Sequence, residues 1–352
     1  MNADDRLIHI ALASDNSYFE GLVTTAASIA ANCSRPHEIV FHVLDGGLTE
    51  DNVMFFKSTL ARWRCQISFV DIADTSAISG FRKYHGSTMT YARILLPGLL
   101  PDVEWIVYSD VDILWFADVA ELWDGLDKNA IIHYVPPNPV SFHQDRNVEM
   151  EWLARNGFQS RPERRFNAGM IVLNLRQFRT ERLQEKMLRM IEENGGHAPN
   201  ADETILNAFM SERDDTRPID FKWQIGTGNA KSVPADLEFV LHYAADTPWK
   251  TIHANHHMLT DSILLWHKVH AQVRNMSTWR SLRSCNGATD IVLGRALYLS
   301  ASNSQIVRGL LLALLLLRGH GKGRSLLKAF MAKSNVGKML RRRPLVPGLQ
   351  TD

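Results

Sequence analysis

Apolar positions in this chain fall into short runs separated by longer segments of helical spacing, and the two kinds alternate from the start. Residues 7–13, 38–44, 66–71 and 104–109 are apolar runs of strand length. Between them, 19–32, 49–63 and 89–96 carry a helical period, the second opening at a threonine cap. This βαβαβαβ order predicts an α/β fold, a Rossmann-like, mostly parallel sheet with helices on both faces and right-handed crossovers. Further strands are expected at 130–135, 166–175 and 237–243, and helices at 179–193 and 202–210. The stretch 136–165 is polar and proline-bearing and is expected to shape a cleft rather than a core. No internal repeat is visible.

At 352 residues the chain can bury one large core or two modest ones. Past about residue 257 the pattern turns helical and basic, which divides the chain into 1–257 and 258–352. Ten of the 39 Lys and Arg lie in 305–343, and only Asp352 of the 38 acids lies beyond residue 304. The first 304 residues therefore hold 29 bases against 37 acids, and the tail is basic. The apolar run 306–317, broken by Arg308 and Gly309, falls short of the ~20 residues a bilayer span needs. Followed by Lys322, Arg324, Lys328 and the Arg341–Arg343 triplet, it reads as a segment attaching to an anionic membrane surface. The alternative is a core helix with a solvated basic end. Cys33, Cys65 and Cys285 are scattered and odd in number, which argues against a disulfide framework or a structural zinc. No signal peptide is visible at the start, so the expected location is cytoplasmic, peripheral on the inner face of the plasma membrane.

The candidate chemistry begins at Asp110-Val111-Asp112, which follows the apolar run 104–109. Two carboxylates spaced i, i+2 on an extended backbone point the same way and can share one hard cation, at the sheet edge where open α/β sheets bind ligands. Asp15 ends the first strand and either meets a nucleotide base, on which Tyr18 could stack, or simply caps the next helix. Arg93 precedes the Asp110 strand and is either a phosphate or sugar contact or a surface arginine. His242, at a strand end, is either packed or a ligand; with two Asp it points to Mn²⁺ ahead of Mg²⁺.

Residues 12–18 (Leu-Ala-Ser-Asp-Asn-Ser-Tyr), 41–45 (Phe-His-Val-Leu-Asp), 90–93 (Thr-Tyr-Ala-Arg), 108–112 (Tyr-Ser-Asp-Val-Asp), 166–169 (Phe-Asn-Ala-Gly), and His242-Tyr243 with Pro248-Trp249, stand in this order. Together they resemble glycosyltransferase family 8, in particular its bacterial lipopolysaccharide α-galactosyl- and α-glucosyltransferases, over residues 7–250. The resemblance implies a GT-A fold, a UDP-hexose donor, Mn²⁺ and transfer with retention to a saccharide or glycolipid acceptor. Carried over by position, it implies Asp110, Asp112 and His242 as metal ligands. It places Ala13, Asp15, Tyr18, Asp110 and Val111 around the nucleoside, and His85, Arg93, Asn167 and Asp202 around the diphosphate and sugar. Arg93, Asp202 and Glu203 are expected at the reacting centre.

Two departures stand out. The family's last motif, His-x-x-Gly-x-x-Lys-Pro-Trp, is one residue shorter here, with Thr247 before Pro248, so Lys250 is the candidate replacement for its lysine. Glu203 stands where the resembling galactosyltransferase has Gln. A carboxylate there makes a covalent glycosyl-enzyme conceivable, although front-face attack is preferred because the related site works with an amide. The competing readings are a UDP-sugar-binding protein that has lost transfer, and a nucleic-acid binder using the basic tail. The tail lacks the interleaved aromatics the latter needs, so no nucleic-acid partner is expected.

Overall fold

Strand β1 (Ile8–Ser14) is buried at all but one position, the mark of a strand covered on both faces. Its alternation confirms this: Ile8, Ile10 and Leu12 belong to one apolar cluster and Ala11 and Ala13 to another on the opposite face. The computed structural model describes residues 6–73, 76–84, 87–136, 146–159, 162–226, 238–244, 247–250, 260–276 and 278–283. Within them the chain runs β1, α1 (Phe19–Asn32), β2 (Ile39–Asp45), α2 (Glu50–Leu60), β3 (Gln66–Asp71), α3 (Ser76–Ser79), α4 (Ala92–Leu99), β4 (Trp105–Ser109) and β5 (Ile113–Trp115). It continues with α5 (Val119–Asp124), β6 (Ile132–Tyr134), α6 (Arg146–Arg155), β7 (Met170–Asn174), α7 (Leu175–Thr180), α8 (Leu183–Glu193) and α9 (Ala201–Met210). β8 (Thr216–Pro218), β9 (Ile225–Gly226), β10 (Val240–His242), α10 (Thr260–Val273) and α11 (Thr278–Arg283) complete it.

The main sheet has the order β3-β2-β1-β4-β7-β6-β8, and the expected mostly parallel α/β architecture is present, with β7 alone running against its two neighbours. The chain moves outward from β1 to β2 and β3, then returns to place β4 on the other side of β1. That reversal opens a crevice beyond the ends of β1 and β4, where ligands of such sheets bind. A second sheet, β5-β10-β9, stands beside the first.

The small sheet is where sequence pattern and structure part. The strand expected at 237–243 is present as β10, but it pairs antiparallel with β5, a three-residue strand directly after Asp112 that periodicity does not reveal. Polar residues inside α1 serve the same edge. Thr25 Oγ1 donates to the carbonyls of Val111 (2.9 Å) and Ile113 (2.7 Å), and Ser28 Oγ accepts from Trp115 N (3.0 Å). Elsewhere, the helix expected at 179–193 is two helices, α7 and α8, parted at Arg182, whose φ of 54° is left-handed. The stretch 136–165 contains α6, anchored through Glu149, which is paired with Arg165 and accepts from Thr204 Oγ1 at 2.7 Å.

Helix α10 shares a core with the small sheet, its Leu265, Trp266 and Val269 packing with Leu114, Phe116 and Leu241. It is clasped to α1 by Glu20, which meets His270 Nε2 at 2.7 Å and Arg274 Nε at 2.8 Å. No helix among the described residues is long and apolar enough to cross a membrane. The boundary expected at 257, Cys285 and the whole basic tail lie outside the described residues.

Candidate active site

Asp110 and Asp112 do not lie on an extended strand, as their spacing suggested. β4 ends at Ser109, and 110–112 form the turn into β5. The turn is held by two backbone bonds: Asp110 N donates to Gly169 O (2.7 Å), and Tyr243 N donates to Asp112 O (2.9 Å). The first brings β7 and its preceding Asn167 loop to the carboxylates; the second brings His242. Gly21 of α1 makes room for this, since a Cβ there would lie 2.5 Å from Val111 O. Val111 itself is buried in the core beneath the turn.

His242 Nε2 lies 3.3 Å from Asp112 Oδ1 and 4.0 Å from Asp110 Oδ2. One ligand atom from each of the three residues lies within 4.8 Å of the others, the one such group among the described residues. The fit to a divalent cation has support in the charge of the site, because among the described residues the buried Asp112 Oδ1 is met only by the His242 ring, at 3.3 Å, in its hydrogen-bonding and ion-pair contacts. Two carboxylates and an imidazole facing a common point are a donor set for a divalent cation. Gly169 is required here as well: a Cβ would sit 2.5 Å from His242 Cε1 and 3.0 Å from Asp110 Oδ2.

The charges are unbalanced in a way that suits a cation. Burial pushes the Asp110 carboxyl up to about 6 despite the pull of Arg93, with Asp112 adding to the rise. Burial works against the His242 imidazolium, but Asp112 and Asp110 outweigh it and raise His242 above its ordinary value. Arg93 is not the surface arginine that was the alternative. Its guanidinium is buried, bonded to Asp110 Oδ1 (2.8 Å), Asp202 Oδ2 (2.7 Å) and the carbonyls of Ala168 and Thr90, over the ring of Tyr108. Asp202, also buried, receives Thr90 Oγ1 as well, so it reaches the site through Arg93.

On the far side of Asp110, Glu203 Oε2 accepts from Asn167 Nδ2 (2.7 Å) and Ala168 N (3.2 Å). Burial pushes its carboxyl up to about 7; the Ala168 N–H works against the rise, and Glu149 and Asp202 add to it. At the other end of the crevice, Ala13 is buried on β1, and Asp15 Oδ1 caps the following turn, accepting from Ser17 N at 2.8 Å. Capping accounts for only one of its oxygens, since Oδ2 is 3.3 Å from Ser87 Oγ. Tyr18 meets Trp249 edge-on, and Lys250 Nζ lies 3.6 Å from its ring centre and 3.1 Å from Ser17 Oγ. A base stacking on that face of Tyr18 must displace the lysine. His85 lies outside the described residues.

One residue of the cluster has no motif in the sequence. Gln224, buried just before β9, places Nε2 2.9 Å from His242 Nδ1 and also donates to Asn167 Oδ1. Its only signal is the pairing of β9 with β10, a two-residue contact that no local pattern carries.

Known proteins share this framework. The model described as "Glycosyl transferase family 8" matches residues 9–253. General stress protein A of Bacillus subtilis is 24% identical over 205 residues, covering 58% of this chain and 67% of that protein. Probable galacturonosyltransferase-like 3 of Arabidopsis thaliana is 24% identical over 272 residues, covering 73% and 79%. The structure of the galactosyltransferase LgtC in complex with donor and acceptor sugar analogs superposes with a TM-score of 0.63 at 22% identity, over 78% of this chain and 99% of that one. At that identity the likeness establishes the fold, GT-A.

Proposed function

The chain belongs to glycosyltransferase family 8, and on that premise we propose that it moves a hexose, galactose or glucose, from a UDP-sugar to a saccharide acceptor with retention of configuration. The acceptor we assign is lipopolysaccharide or another bacterial surface glycan. The observation that carries the reading is the convergence of Asp110, Asp112 and His242 on the crevice beyond β1 and β4. Asp110, Asp112 and His242 would hold Mn²⁺, with Mg²⁺ the lesser fit, and the bound metal would supply a Lewis acid for the charge on the departing diphosphate. Arg93 keeps Asp110 aligned and offsets part of its charge, and Asp202 fixes Arg93 in turn. Asp15 and Tyr18 are assigned to the nucleoside, and Lys250 to the phosphate contact that the shortened motif leaves open. His85 keeps its assignment to the donor diphosphate from the family pattern.

Glu203 is assigned to positioning the sugar rather than to attack on it. One of its oxygens is occupied by two N–H donors, and burial favours the protonated form of its carboxyl, which is not nucleophilic. Front-face attack by the acceptor hydroxyl follows. A glycosyl adduct isolated on Glu203 overturns that assignment.

The test of the whole reading is UDP release. Purified protein is incubated with UDP-galactose, UDP-glucose and, because a plant relative bears the name, UDP-galacturonate, each with Mn²⁺ and with EDTA. Mn²⁺-dependent release with one hexose donor, enhanced by oligosaccharide acceptors, is expected. Release with none of them leaves the second reading, a UDP-sugar-binding protein without transfer. Attachment to the cytoplasmic membrane face through the basic tail rests on its sequence alone; salt-sensitive binding to anionic vesicles, lost on truncation after Asn303, is the expected result.

A further inference from the structure

The proton on His242 is controlled from behind the ring. Gln224 Nε2 lies 2.9 Å from Nδ1, and an amide N–H can only donate, so in this arrangement Nδ1 accepts. The ring proton of the neutral imidazole is then on Nε2, the atom that faces Asp112 at 3.3 Å and Asp110 at 4.0 Å. That tautomer suits a metal-free site, since it gives the two carboxylates a donor. It cannot ligate a cation through Nε2, whose lone pair is used by the proton.

We propose that Gln224 is the positioning residue that selects the metal-binding tautomer of His242, by a half-turn of its side-chain amide that presents Oε1 to an Nδ1–H. The inference rests on the three-ligand reading above. It also carries a role that no other described residue is placed to fill. Ligand histidines are commonly oriented by an acceptor on their second nitrogen, and the atom found at Nδ1 here is Gln224 Nε2. The residue is buried and is held at the start of β9, whose pairing with β10 sets Gly226 opposite His242 and Ile225 opposite Leu241, so the amide can turn while the backbone stays. The same turn replaces the donor on Asn167 Oδ1 with an oxygen, so the Asn167 side chain must draw back from Gln224 as the amide turns. Gly169 N, at 3.0 Å, remains on that oxygen, so Asn167 is not left without a partner.

Titration of the metal-free protein with Mn²⁺ alone at pH 8, followed by the electron paramagnetic resonance of free Mn²⁺, tests this without any sugar. Gln224→Met keeps length and removes both polar atoms; it should weaken Mn²⁺ binding by about 10- to 100-fold. Gln224→Glu keeps an acceptor and should bind within about threefold of the parent or more tightly. ¹⁵N spectra of the histidine rings in the metal-free proteins separate tautomer from charge: the parent should carry its His242 proton on Nε2 and Gln224→Glu on Nδ1. Unchanged Mn²⁺ affinity in Gln224→Met, with binding abolished in His242→Ala, overturns the proposal, as does an Nε2 proton in Gln224→Glu. A parent that binds no Mn²⁺, or a His242→Ala variant that binds like the parent, removes the metal reading and this inference with it. Circular dichroism melting of each variant confirms that a folded protein is being titrated.

Discussion

Two histidines in this molecule face carboxylates, and they are opposites. His270 is closed on every side: Nε2 meets Glu20 at 2.7 Å, Nδ1 meets Ser281 Oγ at 2.7 Å, the ring stacks on Trp266, and Arg274 takes Glu20 as well. His242 is open: its carboxylates stand 3.3 and 4.0 Å away, and two acids face one imidazole. In the first cluster the Glu20 carboxylate has both oxygens taken by donors from His270 and Arg274. The second has surplus negative charge and unfilled lone pairs. A buried polar network that satisfies itself braces a fold; one that leaves a gap of a particular charge is shaped for something that comes from outside.

The largest effect should come from the open cluster. Asp112→Asn removes a ligand charge while keeping shape, so kcat/KM should fall by about 10³-fold or more, roughly 4 kcal/mol of transition-state stabilisation, with Mn²⁺ affinity lost in parallel. Its thermal midpoint should hold or rise, because one of two facing carboxylates is neutralised. An Asp112→Asn protein with near-parent activity would erase the contrast between the two histidines.

Glu20→Gln should do the reverse. Glu20 has its carboxyl held at about 2, against the cost of burial, by hydrogen bonds from His270 and Arg274. It is about a third exposed, so the loss is discounted for solvent screening to about 1–2 kcal/mol of stability. Because the folded value lies below the unfolded one of ~4.3, the Glu20 contribution is present above pH 5 and lost as pH falls toward 2. Denaturant midpoints for parent and variant should therefore converge over that window, while activity per folded molecule changes little. Loss of activity at temperatures where the variant is fully folded would mean that the brace reaches the donor site through the tilted Trp266 and Trp249 ring pair.

How far each cluster was legible in the sequence follows from where its partners lie. Asp110 and Asp112 follow a strand of five buried residues, and Asn167 lies three residues before another, so strand ends could be found and acids and amides placed at them. The α/β alternation was legible for the same reason: each strand from β1 to β4 announces itself locally. The clasp was not, because Glu20 and His270 are 250 residues apart and neither helix carries a mark of the other. β5 and β9, at three and two residues, are shorter than any periodicity can register, and with them went the turn geometry of Asp112 and the place of Gln224. Arg182 reads as an ordinary helix former, yet its left-handed backbone ends α7 and starts α8. Local pattern leaves Arg93 open between a site residue and a surface arginine, because a helical arginine's burial depends on the acids that the fold delivers to it, here Asp110 and Asp202.

Glu203 is the carboxylate that tests where the open cluster stops, and its expected effect is the smallest. With its folded value near 7 and an unfolded value near 4.3, the carboxyl binds more protons in the native state. Its ionisation therefore opposes folding: stability is fullest below about pH 4 and declines as pH rises through 7. Glu203→Gln removes the titration and keeps an oxygen to accept from Asn167 and Ala168. The variant should be about 1 kcal/mol more stable than the parent at pH 8, the difference fading to nothing near pH 4, as read from urea midpoints. Its transfer activity should stay within about tenfold of the parent, since the amide still holds the Asn167 loop. A variant less stable than the parent at pH 8 would place Glu203 with Glu20, as a charge the fold depends on; a variant that is stable but inactive would make it a chemical participant instead.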